Sequence, residues 1–275
     1  MNAVYGFSMV LLNVLRELKP DYVAVAFDLP GKTQRHADFK DYKANRKAKD
    51  EELIAQIPRV HEIVAAFNIP GYSVKGYEAD DVIGTIARKA PELVETIIVT
   101  GDMDELQLVN RKTKVYTMRR GFTDTVIYDE AKVKERYGLT PAQFVDYKAL
   151  RGDPSDNIPG VAGIGEKTAT ELIKNYKTLD DVYKNLDKIK PSVSGKLKDG
   201  KDSAYLSQRL SQIELNLSIN FDLKKCVLHD FDRSKVFSLF SELGFKSLLP
   251  RIPGGPNQKS IFDEPQKISK NIGRK

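Results

Sequence analysis

Cysteine occurs once in the 275 residues, as Cys226, and histidine three times. A single cysteine excludes a disulfide framework, and three scattered histidines exclude a Cys/His zinc cluster. No apolar run approaches the ~18 residues a membrane helix needs. The apolar stretch 9–15 is broken by Asn13, and neither a basic leader nor a small-residue cleavage site precedes it, so no secretory signal is expected. No internal repeat is present. A cytoplasmic protein of one large domain or two is expected, and 41% hydrophobic with 30% charged residues suffice for a sizeable core.

The net charge is +6 with a pI near 9.1, but its distribution says more than its sum. Segment 32–49 has seven basic and two acidic residues, and segments 184–201 and 251–275 each have six and two. The remainder is therefore acidic. Separate patches of both signs suit a protein that binds a polyanion and also holds cations, although any one patch alone reads as solvated surface.

Residues 3–18 carry Val4, Phe7, Leu11, Val14, Leu15 and Leu18 at helical spacing, and 51–67 repeat the pattern. YVAVAF (22–27), 69–74 and ETIIVT (95–100) read as strands, with shorter ones near 113–117 and 125–128; a helix is expected over 79–90. This alternation predicts an α/β fold with a mostly parallel sheet flanked by helices. From Thr140–Pro141 the chain turns helical to 176, and again near 178–186, 203–213 and 233–243. The expected domains are 1–140 and 141–249. The Pro/Gly-rich, aperiodic tail 250–275 is expected to be disordered.

Acidic residues recur where strands end. Asp28 follows YVAVAF; Glu78, Asp80 and Asp81 stand in GYEADD after 69–74; Asp102 and Asp104 follow IIVTG. Loops after the carboxyl ends of parallel strands gather at one edge, where ligands bind. Asp153 and Asp156 in RGDPSDN open the helical region. Eight carboxylates in one cleft need compensation, and all-oxygen sites favour Mg²⁺ or Mn²⁺. Two such ions roughly 4 Å apart would activate water and stabilise a leaving oxygen in phosphodiester cleavage. Helix-dipole compensation explains GYEADD alone equally well, but not Asp28, Asp102 and Asp156.

IPGVAGIGEKTATELI (158–173) places Gly160, Gly163 and Gly165 before an amphipathic helix. A Walker loop needs Lys directly after its last glycine, where Glu166 stands, and a dinucleotide fingerprint needs glycine at Thr168. What remains is a helix–hairpin–helix over 158–175, whose backbone N–H groups, with Lys167 and Thr168, would meet phosphates rather than bases. A tight interhelical turn would explain the glycines but not the Lys-Thr pair.

VAFD, RHADFKDYKANR, GYEADD, TGDMD and RGDPSDNIPGVAGIGEKTA, in this order, resemble the bacterial 5′-3′ exonucleases, which include the N-terminal nuclease domain of DNA polymerase I and the flap endonucleases. The resemblance covers about residues 2–250. It implies a PIN-like nuclease domain followed by a helical DNA-binding domain. It makes Asp28, Glu78, Asp80, Asp81, Asp102, Asp104, Asp153 and Asp156 metal ligands for two or more Mg²⁺ or Mn²⁺ ions. Residues 30–50 match the family's helical arch for a single-stranded 5′ end. There Lys43 and Arg46 match contacts to the scissile phosphate, and Arg35 and Tyr42 match neighbouring positions. Basic residues interleaved with aromatics also suit single-stranded DNA on physical grounds.

The hairpin matches the family's duplex grip, which also binds potassium. The implied partner is DNA with a 5′ end or flap, met in replication and repair by a nucleoid-associated monomer. Gln258, Ile261 and Phe262 are similar to a sliding-clamp motif, and flexible tethering would raise the local concentration at replicating DNA. In the family, a strand with an Asp-Gly pair precedes the helix matching NAVYGF. This sequence starts at that helix, as a fragment or from an internal methionine. The expectation is a stand-alone, metal-dependent 5′-3′ exonuclease and 5′ flap endonuclease that removes primers or displaced strands. If the protein itself starts here, strongly reduced cleavage with some DNA binding retained is expected, and the alternative is a catalytically impaired branched-DNA binding module. The arch, hairpin and helical second domain argue against a ribonuclease of a smaller related fold.

Overall fold

A computed structural model of the protein describes residues 1–47, 50–120, 124–228 and 231–253. In chain order the helices are α1 (Asn2–Leu18), α2 (Gln34–Asp38), α3 (Glu51–Ile54), α4 (Ile57–Ala66), α5 (Ala79–Lys89), α6 (Glu130–Tyr137), α7 (Phe144–Arg151), α8 (Glu166–Tyr176), α9 (Leu179–Lys184), α10 (Pro191–Asp199), α11 (Lys201–Ser211) and α12 (Arg233–Glu242). The strands are β1 (Val25–Ala26), β2 (Gly71–Tyr72), β3 (Thr96–Val99), β4 (Thr113–Arg120) and β5 (Asp124–Tyr128). No helix among the described residues is long and apolar enough to cross a membrane.

The chain divides into two compact units that interleave in sequence. The first takes the described parts of 1–25, 49–71 and 222–275. In it, α1 buries Val4, Leu11, Leu12 and Leu15, and Gln56 Oε1 accepts the Ala3 N–H (3.1 Å) at its start, satisfying a donor that the helix cannot. Phe67 packs between Phe231 (ring centroids 4.7 Å apart, tilted) and Phe240 (6.2 Å, edge-on). YVAVAF forms less strand than expected. Tyr22 bridges to Val227, and only Val25–Ala26 pairs with Gly71–Tyr72.

The second unit takes residues 26–48 and 72–221. Its sheet runs β3-β4-β5: β3 pairs parallel with β4, Thr96 opposite Thr113, and β4 pairs antiparallel with β5. The β4–β5 pair is thus the antiparallel element in a fold expected to be mostly parallel. Val115, Leu106 and Tyr128 from the sheet side share one core with Leu150, Ile173, Leu179 and Leu197 from the helices and Leu139 from the loop after α6. Helix α7 packs on α11 and α8. Helix α10, absent from the expected elements, starts with Pro191 at its first position; its lysine-rich sequence buries only Ser194 and Leu197, so its apolar stripe is too thin to read.

Candidate metal and phosphate site

All eight expected carboxylates lie in the second unit. GYEADD opens α5 with Glu78 at the N-cap. Asp81 reaches back to accept the Glu78 N–H (3.0 Å), a reciprocal cap of the kind that satisfies orphan helix donors. Asp28 accepts the Ala79 N–H (2.8 Å), so it too sits at the positive end of this helix.

Asp81 is fully buried. Arg35 grips it with two hydrogen bonds (2.7 and 2.8 Å) and donates further to the Leu210 and Gln212 carbonyls. The Glu214 N–H donates to the same carboxylate (2.9 Å), so each Asp81 oxygen accepts two hydrogen bonds. Burial alone would raise the Asp81 pKa, but the Arg35 hydrogen bonds and charge outweigh it and hold the group below the ordinary value. Arg35 and Tyr42, expected along an arch, therefore have internal partners. Tyr42 is 3% exposed, packs with Ile158 and Leu210, and donates toward Glu78 and Asp156 (3.3 Å each). Burial and the Glu78 charge push its hydroxyl pKa up, so it stays a donor.

The described part of the arch segment holds a short helix, α2, followed by turns. At Lys43 the backbone is left-handed (φ 56°) and its N–H donates to the Asp156 carbonyl (2.9 Å). Lys43 Nζ bonds Glu78 (2.8 Å) and lies 3.7 Å from Asp156, and Arg46 pairs with the other Asp156 oxygen. The two residues expected to meet the scissile phosphate thus rest on carboxylates.

The RGDPSDN loop is shaped by two glycines. Gly152 (φ 75°) and Gly160 (φ 62°) lie back to back, and a Cβ on Gly160 would stand 2.3 Å from the Gly152 nitrogen. Asp153 and Ile158 exchange backbone hydrogen bonds (2.9 Å each) across the loop base. This turns the Asp153 carboxylate toward Lys148, which bonds both Asp104 oxygens and Asp153 Oδ2, all at 2.6 Å. Burial opposes the charge on Lys148, yet Asp104 and Asp153 outweigh it and raise its pKa. Burial likewise opposes ionisation of Asp153, but Lys148 and Ser155 bring it to about 2. Burial raises the pKa of Asp104 despite Lys148. A cavity of about 500 Å³ opens beside this cluster, lined by Asp102, Asp104, Lys148, Asp153, Tyr147 and Arg151.

Asp102 is exposed, and its Oδ1 accepts the Asp104 N–H (2.9 Å). Asp80 contacts a carboxylate the sequence reading passed over, Glu105, which is 1% exposed. Burial first, then the Asp102 and Glu78 charges, raise Asp80 to about 6 against the lowering effect of its hydrogen bond with Glu105, and burial with the Asp80 charge and that same hydrogen bond pushes Glu105 up to about 9. Lys148 was passed over as well. The signals were thin: an acid directly after Asp104 in GDMDEL, and one lysine amid the apolar residues of FVDYKALR.

Among the described residues no three His, Cys, Asp or Glu side chains converge on a common point as metal ligands do. Arginine and lysine side chains instead compensate Glu78, Asp81, Asp104, Asp153 and Asp156. In the hairpin, Gly160 is a packing residue, donating to Ser207 (2.9 Å) and accepting from Ser203 (2.6 Å). Gly163 (φ 77°) accepts from Lys196 (3.0 Å). Gly165 caps α8, and Lys167 is exposed and Thr168 half-buried in the helix's first turn. Gln258, Ile261 and Phe262 lie outside the described residues.

The chain as a whole matches known proteins. Residues 1–138 match the 5′-3′ exonuclease N-terminal resolvase-like domain, and residues 139–234 its C-terminal SAM fold. DNA polymerase I of Caldicellulosiruptor bescii is 46% identical over 91% of this chain and 30% of its own length; that of Bacillus subtilis is 41% identical over 91% and 29%. The chain thus spans about three-tenths of the length of these relatives. Among solved structures, bacteriophage T5 flap endonuclease in a pseudo-enzyme–product complex with DNA and metal ions aligns at TM-score 0.63 and 20% identity, over 89% of this chain and 86% of that one. The catalytic core of Rad2 with a DNA substrate aligns at TM-score 0.61 and 19% identity, over 90% and 85%.

Proposed function

Because the chain belongs to the 5′-3′ exonuclease family, we propose that its acidic site hydrolyses DNA phosphodiesters at a 5′ end or the base of a 5′ flap. The observation that carries this is the meeting, in one unit, of carboxylates from four chain segments with Lys43 and Arg46, two cations placed to exchange a carboxylate for a phosphate.

The donor set fits a hard divalent cation, since every candidate ligand is a carboxylate oxygen and one oxygen of the buried Glu105 has no partner. Glu78, Asp80, Asp102, Asp104, Asp153 and Asp156 would hold such ions, with Asp28 at the rim. When bound, Mg²⁺ or Mn²⁺ supplies an activated water and charge stabilisation at the leaving oxygen. Lys43 and Arg46 bind and orient the scissile phosphate. Arg35, Asp81 and Tyr42 hold the foot of the arch in place. Gly163, Gly165, Lys167 and Thr168 grip a duplex phosphate at the start of α8, with potassium as the hairpin's own cation. The domain division at residue 140 follows the same reading, and a clamp contact through Gln258, Ile261 and Phe262 would tether the protein, as a monomer, to replicating DNA.

A second reading, a module that binds branched DNA without cutting it, is favoured by one observation: Lys148 and Lys43 already neutralise the acids. One experiment separates the two, measuring cleavage and binding of a labelled 5′-flap duplex with Mg²⁺ or Mn²⁺. Under the lead reading the wild type cuts, and Lys43→Ala lowers cleavage at saturating DNA by about 100-fold. Binding without any metal-dependent cutting would establish the second reading.

A further inference from the structure

Two asparagines join the foot of the arch to the RGDPSDN loop, each reaching into the other segment. Asn157 Nδ2 donates to the Asp41 carbonyl (2.7 Å), and Asn45 Nδ2 donates to the Pro154 carbonyl (2.5 Å). Both carbonyls also close turns within their own segments: Asp41 accepts the Ala44 N–H (3.0 Å) and Pro154 the Asn157 N–H (3.4 Å). Each oxygen thus uses both lone pairs, one for its own turn and one for the crossing bond. Between the crossings lies Lys43, whose N–H donates to the Asp156 carbonyl (2.9 Å). Its left-handed backbone (φ 56°) is unfavourable for a residue with a Cβ and persists only where surrounding contacts fix it. The bonds at Asp41 and Asn45 flank it on either side. Asn157 is itself left-handed (φ 57°). Turn formation accounts for that backbone, which asparagine adopts more readily than most residues. It does not account for a side-chain bond to a carbonyl 116 positions away.

We propose that Asn157, with Asn45 as its counterpart, is a positioning residue for the reaction. It clips the turn at 41–46 to the RGDPSDN loop and so fixes Lys43 and Arg46 against Glu78 and Asp156. Cations on one segment and carboxylates on another serve the same phosphate only while their spacing is held, since a misplacement of about 1 Å can cost ~100-fold in rate. The crossing bonds run from neutral amides to backbone carbonyls, so they leave the carboxylates free to exchange partners while the two segments stay joined. This rests on the reading of Lys43 and Arg46 as phosphate contacts and deepens it by naming what holds them in place.

The test uses the full chain with Asn157→Gly, which tolerates the left-handed backbone and removes only the side chain, and with Asn45→Ala, which breaks the other crossing. Thermal melting checks that each variant folds. Amide hydrogen exchange in EDTA reads the clip. Each variant is expected to speed exchange at 41–46 about tenfold while α7 and α11 stay protected, and unchanged exchange there would overturn the clip. Single-turnover cleavage of a labelled 5′-flap duplex with Mn²⁺ reads the positioning. Asn157→Gly is expected to slow cleavage at saturating DNA about tenfold with the half-saturating concentration little changed, yet to add less than about twofold to a variant carrying Lys43→Ala and Arg46→Ala, because residues acting through one group are not additive. An equal loss on both backgrounds would overturn the positioning role. If the wild type binds the flap without cutting it, the nuclease reading falls, and the same comparison is made on the dissociation constant. There too, an equal weakening on both backgrounds overturns the role of Asn157, and a weakening confined to the wild-type background upholds it.

Discussion

Single residues in this protein are defined by what neutralises them. Asp81 is a buried charge made tolerable by Arg35, and removing one partner of such a pair costs more than the pair contributes. Asp80 and Glu105 have no such cation, and the consequence is a pH dependence. Their folded pKa values, about 6 and about 9, lie above the ordinary 3.8 and 4.5, so the folded state holds protons that the unfolded state has released. Stability in EDTA is therefore expected to fall as pH rises from about 4 to about 9, with a slope approaching ~1.4 kcal/mol per pH unit where one extra proton is held. Asp153, near 2, acts in the opposite direction and only below about pH 4. Glu105→Gln should flatten the decline. Denaturant unfolding curves across pH check this, and a wild-type stability flat from pH 5 to 8 would contradict it.

At the scale of elements, the site depends on how loops are closed. RGDPSDNIPG can present Asp153 and Asp156 because Gly152 and Gly160 approach without side chains. Gly160→Ala would force a methyl group against backbone at a positive φ. It is expected to cost ~2–4 kcal/mol, combining left-handed strain with overpacking, and to weaken the Lys148 contact to Asp153. Thermal unfolding reads the first effect. The same substitution at Gly165, where a Cβ meets nothing within 4 Å, is the control and should cost no more than the ~0.5–1 kcal/mol of a poorer N-cap.

For the molecule as a whole, the modest net charge of +6 conceals a local sorting of acids into the site and cations around it. Duplex binding through the hairpin should then depend on salt in proportion to the phosphates met. Lys167→Ala is expected to weaken binding across sequences alike and to reduce the slope of log K against log salt by about 1. Fluorescence anisotropy with a labelled duplex between about 50 and 200 mM salt measures the slope. An unchanged slope would remove Lys167 from the phosphate contacts.

The sequence by itself determined the elements whose cause is local. The 3.6-residue periodicity of α1, the β-branched run of β3, and the placing of acids after apolar runs are all written in neighbouring residues. So were the motifs whose order identifies the family. What only the tertiary structure decided is who stands beside whom. GYEADD reads as three equivalent charges, yet the fold gives Asp81 to Arg35 from 46 positions away and Glu78 to Lys43 from 35 positions away, and leaves Asp80 facing Glu105. Lys148 and Glu105 were illegible for the same reason. A charged residue inside an apolar stretch has no local partner to reveal its role, and the energy of burying it is set by groups that folding brings from distant parts of the chain.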